Sequence, residues 1–428
     1  MQNKLYISRL LTFLNTSPTP FHAVANMAII LREAGYKALD ERDHWQLQTR
    51  GHYYVIRNDS SIIAFIHPDG QVESGLRLLG THTDSPCLRL KPQAIRQTES
   101  CILAAVEVYG GALLNPWFDR DLSIAGRVSW STSGKIHSQL VDFKKPVACV
   151  PSLAIHLNRK ANQEHRIDTE NDLRLLLQLQ PDAANTMDPV RLALQDLLTE
   201  LPDATACDYE LSCYDCQPAA ITGLQEEFIA SARLDNLLSC YAATTAMAET
   251  RSTFPALMVC TDHEEVGSVS AVGAAGSFLS DILQRLLPEP GKRQRCLRRS
   301  LLISADNAHA VHPNFAKRHD GLHLPRLNGG PVLKTNANQR YASTSRGIAL
   351  FRELCRQQHV PVQDFVSRSD LACGSTIGPI SAAETGIDTV DVGIAQLAMH
   401  SIRELCGAMD PLRLHRVCKA FLATELVN

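Results

Sequence analysis

Four short apolar runs in this chain each stop at a cluster of ionisable residues, and a chain built that way has few folds open to it. Leu76–Gly80 runs into Thr81-His82-Thr83-Asp84, and Ala256–Cys260 into Thr261-Asp262-His263-Glu264-Glu265. Leu301–Ile303 runs into Ser304-Ala305-Asp306-Asn307, and Val390–Ile394 leads towards Met399-His400-Ser401. Each reads as a buried strand emptying into a functional loop. Helical segments lie between, such as Leu234–Glu249 with Leu234, Leu237, Leu238, Tyr241 and Thr245 on one face. Alternation of strand, loop and helix predicts an α/β sheet with helices on both faces and its sites beyond the strand ends.

The middle of the chain departs from this habit. Val106–Tyr109, Ile124–Trp130, Lys135–Leu140 and Pro146–Ile155 are short β-type runs, followed by a helical patch at Val190–Leu201. The expected organisation is an α/β domain in two parts, residues 1–91 and 232–428, interrupted by a β-rich insertion at 92–231. At 428 residues the chain is long enough for two or three domains. Lys plus Arg total 42 against 45 for Asp plus Glu, a net charge of −3 that argues against nucleic acid as a partner. The basic run Gln284–Arg299 is expected to be a solvated loop between a helix and the next strand.

The opening segment has an apolar core of only LLTFL, shorter than a signal peptide needs, and no uncharged apolar stretch approaches the ~18 residues of a membrane span. An odd count of 13 cysteines then points to reduced thiols and a cytoplasmic protein. Cys213-Tyr214-Asp215-Cys216 has no second pair to complete a structural zinc site and reads as two free thiols.

The ionisable clusters carry the chemistry. His82 is a metal-ligand type, and Asp84 two residues on can fix its tautomer. Glu264 and Glu265 follow a strand, and such a pair can divide its work, one carboxylate ligating while the other acts as general base on a bound water. Asp235 stands at the expected start of a helix, Asp306 at a strand end and His400 near the last strand. Each has an ordinary structural role available: a first-turn helix carboxylate for Asp235, a core histidine for His400, an acidic loop for the glutamates. Taken together, two His, two Asp and one Glu can hold two divalent ions ~3.5–4 Å apart, with one carboxylate bridging. HExxH, P-loop, GxGxxG and GxSxG motifs are absent, which excludes the single-zinc helix proteases, P-loop enzymes and serine hydrolases that depend on them.

These residues sit in a longer ordered series: Ser17–Val24 (SPTPFHAV), THTDSP at 81–86, Asn115–Leu122 (NPWFDRDL), Pro151–Leu157 (PSLAIHL), SARLDN at 231–236, DHEEVGS at 262–268, DNAHAVHPN at 306–314, CGSTIGP at 373–379 and MHSIRE at 399–404. By this series the chain resembles the aspartyl aminopeptidase family of dinuclear zinc metallopeptidases, nearly end to end. The resemblance implies a zinc-aminopeptidase-like sheet with flanking helices, and an inserted domain that drives dimerisation towards a dodecamer. It implies two zinc ions per subunit, with His82, Glu265, Asp306 and His400 as terminal ligands and Asp235 as the bridge. Manganese or cobalt also suits so carboxylate-rich a set. Glu264 falls on the general base and Asp84 on the residue orienting His82. His156 matches a histidine that reaches a neighbouring subunit's site, or is assigned as a metal ligand. Lys334, Tyr341, Gly374 and Ser375 match substrate-side positions. Tyr341 is then a candidate to steady the oxyanion, and Lys334 offers charge to an acidic side chain; its ordinary role is an exposed lysine after a Gly-Pro turn. The implied reaction is removal of N-terminal residues, with preference for Asp and Glu, from peptides with a free N-terminus. A deacylase or dipeptidase on the same core, or a non-enzymatic shell protein, are the alternatives; an intact ligand set and Glu264 speak against the shell.

Overall fold

The computed structural model describes residues 2–67, 74–98, 100–164, 166–179, 207–252 and 254–426, with Val190, Leu194 and Leu198. Packing divides the chain into two units, one of Met1–Ser85, Ala219–Met399 and Glu404–Asn428, the other of Pro86–Pro218 and His400–Arg403. The first unit opens with α1 (Gln2–Asn15), α2 (Pro20–Glu33), β1 (Lys37–Leu39), β2 (His52–Arg57), β3 (Ser61–Ile66) and β4 (Arg77–His82). The second holds β5 (Cys87–Thr98), β6 (Cys101–Tyr109), β7 (Leu122–Thr132), β8 (Lys135–Asp142), β9 (Leu175–Leu179) and β10 (Cys207–Asp215). The chain re-enters the first unit through β11 (Ala220–Thr222), β12 (Phe228–Ser231), α3 (Leu234–Glu249), β13 (Ala256–Thr261), α4 (Phe278–Leu286), α5 (Pro290–Arg298), β14 (Leu301–Ala305) and β15 (Ala308–His309). It finishes with β16 (Val332–Thr335), α6 (Ser345–Gln357), β17 (Gln363–Val366), α7 (Ile377–Thr385), β18 (Asp388–Gly393), β19 (Ala395–Leu397), β20 (Glu404–Gly407) and α8 (Asp410–Leu422).

The main sheet of the first unit has nine strands in the order β1-β2-β3-β13-β4-β14-β18-β16-β17. At its centre β13, β4, β14 and β18 run parallel, with Thr261 opposite His82, Ser304 opposite Gly80 and Ala305 opposite Val392. Their C-terminal ends therefore open at one edge. β4 has β13 on one side and β14 on the other, and such a reversal of strand order is where open α/β sheets place their sites. Every residue of β4, β13 and β14 is buried, because both faces are covered. On one face Leu79, Met258, Ile303 and Val390 pack with α1, α2, α3, α6 and α8. On the other, Leu78, Leu257, Val259 and Leu302 meet Phe278, Ile282 and Leu283 of α4. α3 is buried from Leu234 to Met247, its polar Asp235, Asn236, Ser239, Thr244 and Thr245 included, so it is an interior helix. A second sheet in this unit has the order β11-β12-β20-β19-β15 and pairs Ser231 with Glu404.

The second unit is an antiparallel six-stranded sheet, β8-β7-β10-β5-β6-β9, with its own core around Trp117, Ile124, Val128 and Trp130. Its limits differ from residues 92–231. β5 begins at Cys87 and crosses residue 91 without interruption, while β11 and β12 pair outside this sheet and rejoin the first unit. Pro146–Ile155 forms bridges only at Ala148, Cys149 and Val150 and is otherwise not strand. The expected helix at Val190–Leu201 lies outside the described residues except for Val190, Leu194 and Leu198. The basic run is not a loop: Pro290–Arg298 is helical, with proline in its first turn and Arg295 and Arg298 in its last, where they complement the helix dipole. Among the described residues no helix is long and apolar enough to cross a membrane, and twelve cysteines, Cys213 and Cys216 included, are free thiols.

Leu302 is fully buried in the central strand β14. Leu302→Ala is expected to lower stability by about 2–5 kcal/mol through lost burial and a residual cavity, read as a reduced urea midpoint at unchanged m-value.

Candidate metal centre

Three of the parallel strands deliver His82, Glu264, Glu265 and Asp306, and Asp235 joins them from the start of α3. β4 ends at His82, whose ring is buried. Its Nδ1 lies 3.1 Å from the Asp84 carbonyl oxygen and 3.4 Å from the Asp84 carboxylate. Both are acceptors, so Nδ1 carries a proton and Nε2 is the nitrogen turned to the site. Nε2 lies 3.5 Å from Asp235 Oδ1 and 3.5 Å from Asp306 Oδ1. The Asp84 carboxylate has further work: its two oxygens accept the backbone N–H groups of Glu264 at 3.1 Å and Glu265 at 3.0 Å. Asp84 thus fixes both the imidazole and the short 3₁₀ turn Glu264–Val266 that follows β13.

Asp235 does not take the first-turn helix role open to it. Its backbone (φ −81°, ψ 108°) is not helical and its peptide to Asn236 is cis. Buried polar groups grip it instead. Its N–H donates to Glu404 Oε2 at 3.0 Å, and its carbonyl accepts from the Ser85 hydroxyl. Next to it, Asn236 donates to the Ala305 carbonyl and Asn307 to that of Leu234, each at 2.8 Å. Asp306 leaves β14 with its N–H on the Val392 carbonyl at 2.9 Å. β18 passes so close there that a Cβ on Gly393 would lie 2.0 Å from the Asp306 carbonyl oxygen.

Ligand atoms of His82, Asp235 and Asp306 lie within 4.8 Å of one another, as do those of His82, Glu264 and Glu265; Asp235 and Glu265 meet the same limit. Four carboxylates therefore crowd one imidazole. Burial, reinforced by the neighbouring acids, pushes Glu264 up to about 8 and raises Glu265 as well. Burial alone would lower His82, but Asp235, Asp306 and Asp84 outweigh it and raise the imidazole well above its usual range. Asp306 feels burial too, yet Lys334 and His82 hold it below the normal carboxylate range. A site whose acids repel one another and draw positive charge to Nε2 is one that a divalent cation fits, and mixed imidazole and carboxylate donors suit zinc, manganese or cobalt.

Other expected residues stand elsewhere. Lys334 on β16 is 2% exposed, so it is no surface lysine. Its ammonium donates to the Asn307 carbonyl at 3.0 Å, lies 3.5 Å from Asp306 Oδ2 and sits 5.0 Å over the Tyr341 ring. Tyr341 is buried with Phe365 at its ring edge, and burial, followed by the neighbouring Cys373, pushes its hydroxyl well above the usual range. Ser375 is exposed, with its hydroxyl 3.3 Å from the Arg340 carbonyl, and Gly374 is exposed beside it. His400 belongs to the second unit, where its Nδ1 is 3.2 Å from the Gly111 carbonyl, again turning Nε2 into the acceptor nitrogen. His156, also in the second unit, is exposed among Leu153, Ile155 and Leu157, and among the described residues it joins none of the metal-capable groups. Glu404 beneath Asp235 and the Lys334–Asp306 pair are not foreseen from the sequence. The MHSIRE run contains Glu404, but nothing local says that β20 pairs with the strand leading to Asp235.

Residues 13–422 match the aminopeptidase I zinc metalloprotease (M18) family. The chain is 55% identical over 420 residues to a probable M18 family aminopeptidase 2 of Stutzerimonas stutzeri (strain A1501), covering 97% of each. It is similar in fold to a chain from the cryo-EM structure of the Ape4 and Nbr1 complex, at a TM-score of 0.94 and 37% identity over 99% of this chain and 86% of that one. It also resembles the S. cerevisiae mApe1 dodecamer structure, at a TM-score of 0.84 and 29% identity over 97% of this chain and 95% of that one. The matched length, the sequence identity and the acid-rich centre agree: the chain belongs to the M18 family of zinc metallo-aminopeptidases.

Proposed function

We propose that the enzyme removes N-terminal residues, preferentially Asp and Glu, from peptides with a free N-terminus, with Glu264 as general base. The observation that carries this reading is the crowding of Asp235, Asp306, Glu264 and Glu265 about His82. By the family resemblance, His82, Asp235 and Asp306 would hold one zinc ion, and Asp235, Glu265 and His400 the second. Bound zinc supplies Lewis acidity, which brings the pKa of a water to ~7.

The protein's own groups do the rest. Glu264, its backbone fixed by Asp84, takes the proton of the water that attacks the first peptide carbonyl and passes it to the leaving amine. Asp84 keeps the His82 tautomer constant throughout. Tyr341 steadies the oxyanion side of the reacting carbonyl. The acidic preference is supported by the family resemblance rather than by Lys334, whose charge is already engaged by Asp306 and the Asn307 carbonyl. His156, exposed on the second unit, serves a neighbouring subunit's site in a cytoplasmic homo-oligomer, a reading supported by the dodecameric mApe1 relative.

The direct test adds zinc, manganese or cobalt to chelator-treated protein and offers substrates with Asp, Glu, Leu or Lys at the N-terminus, plus an N-acetylated control. Preferred release of Asp and Glu, restored by metal and abolished by acetylation, is expected; cleavage of the acetylated control alone would make the enzyme a deacylase. Glu264→Gln should lower kcat on the order of 10²–10⁴-fold while metal stays bound, checked by steady-state kinetics beside elemental analysis. His82→Ala combined with Asp235→Ala should abolish metal binding, measured by the same analysis after dialysis; retained metal would overturn the ligand set. Lys334→Met should reduce cleavage of Asp, Glu and Leu substrates by a common factor, since its charge serves Asp306. A loss confined to Asp and Glu would make Lys334 the selector after all.

A further inference from the structure

Asp391 is a fully buried carboxylate in the middle of β18, and the chemistry proposed above makes no use of it. Burying such a group is costly unless its oxygens are satisfied, and here they are satisfied by two different segments. Oδ1 accepts the Thr376 hydroxyl at 2.7 Å, and Oδ2 accepts the Ala342 N–H at 2.6 Å. Ala342 directly follows Tyr341, and Thr376 directly follows Cys373-Gly374-Ser375. One carboxylate thus ties together both segments expected to face the substrate.

The surroundings are built for this. Ser343 adds a second tie between the same loop and β18, its hydroxyl accepting the Asp391 N–H at 2.9 Å. Thr376 also caps α7 by accepting the Gly378 N–H at 3.2 Å. Only glycine fits at 378, since a Cβ there would lie 2.3 Å from Asp391 Oδ1. Lys334 supplies the compensating charge. It is 3.5 Å from Asp306 on one side, and on the other it offsets the upward push that burial gives Asp391. The ring of Tyr341 lies beneath the same ammonium.

We infer that Asp391 is a positioning residue: it holds the Tyr341 loop and the Cys373–Ser375 loop in fixed register, so that they meet the substrate as one wall. This deepens the aminopeptidase reading and rests on it for the effect on turnover. The test compares Asp391→Asn, Thr376→Val, Thr376→Ser and the double variant D391N/T376V with wild type. Thr376→Val keeps the shape and removes the hydroxyl; Thr376→Ser restores it.

Thr376→Val and Asp391→Asn are expected to lower kcat at least tenfold with metal content unchanged and KM moved less than threefold. Thr376→Ser should stay within threefold of wild type, and the double variant should fall no further than the worse single, as for two residues acting through one contact. Additive losses, losses that track missing metal, or wild-type activity in both singles would overturn the inference. Amide hydrogen exchange gives a readout independent of turnover. In Asp391→Asn, exchange should accelerate at least tenfold in peptides covering 341–345 and 373–380 but not in those covering 82–84 or 262–266. Unchanged exchange in either of the first two would overturn the inference even if the wild type cleaved no peptide, an outcome that by itself would defeat only the aminopeptidase reading.

Discussion

Packing four carboxylates around one buried imidazole is the act on which the rest of the first unit depends. In an interior of low dielectric these groups repel one another, and each has lost water that once solvated it. The fold answers part of this repulsion with fixed positive or donor groups. Lys334 faces Asp306, the two backbone amides of the Glu264 turn face Asp84, and Ser85 grips the backbone of Asp235. What stays uncompensated is the space between Nε2 of His82 and the carboxylates. An electrostatic demand of that kind selects a small, highly charged guest with little need for a dedicated cage.

The sheet makes the crowding affordable. Because β13, β4 and β14 run parallel and end together, His82, Glu264, Glu265 and Asp306 arrive from rigid strand ends or the first turn beyond them, and Asp235 follows β12 of the second sheet. No long loop has to be ordered to bring these ligands together. Rigidity also explains why so much of the supporting structure is main chain: the Ala305, Asn307 and Leu234 carbonyls and the Glu264 and Glu265 amides all take part. Main-chain donors and acceptors hold a geometry without the rotamer freedom that side chains bring.

Much of this was legible in the residues. An apolar run that ends in His-x-Asp, Asp-His-Glu-Glu or Asp-Asn announces a strand and its site together, and β4, β13, β14 and β18 lie within a few residues of where the pattern puts them. α3 coincides with its expected span because Leu234, Leu237, Leu238 and Tyr241 recur at helical spacing. What was not legible depends on pairing between distant strands. Lys334 follows a Gly-Pro turn that reads as surface, yet β16 lies beside β18 and carries the lysine inside. β11 and β12 carry no local mark of their allegiance; they rejoin the first unit only because β20, some 180 residues later, pairs with β12. A helix was hidden in the basic run because charge dominated the pattern there, although Pro290 and the closing arginines mark its two ends.

The neighbours at the sheet edge are strangers along the chain. His82, Asp235, Glu265 and Asp306 span 224 residues of sequence although their strands and turns are adjacent in space. At the ~5–20 residues per second typical of synthesis, the last of these acids follows the histidine out of the ribosome by roughly 10–45 s. Until Asp306 has been made, the group of His82, Asp235 and Asp306 lacks one of its three members. That group is therefore complete only once β14, its last contributing strand, has been synthesised.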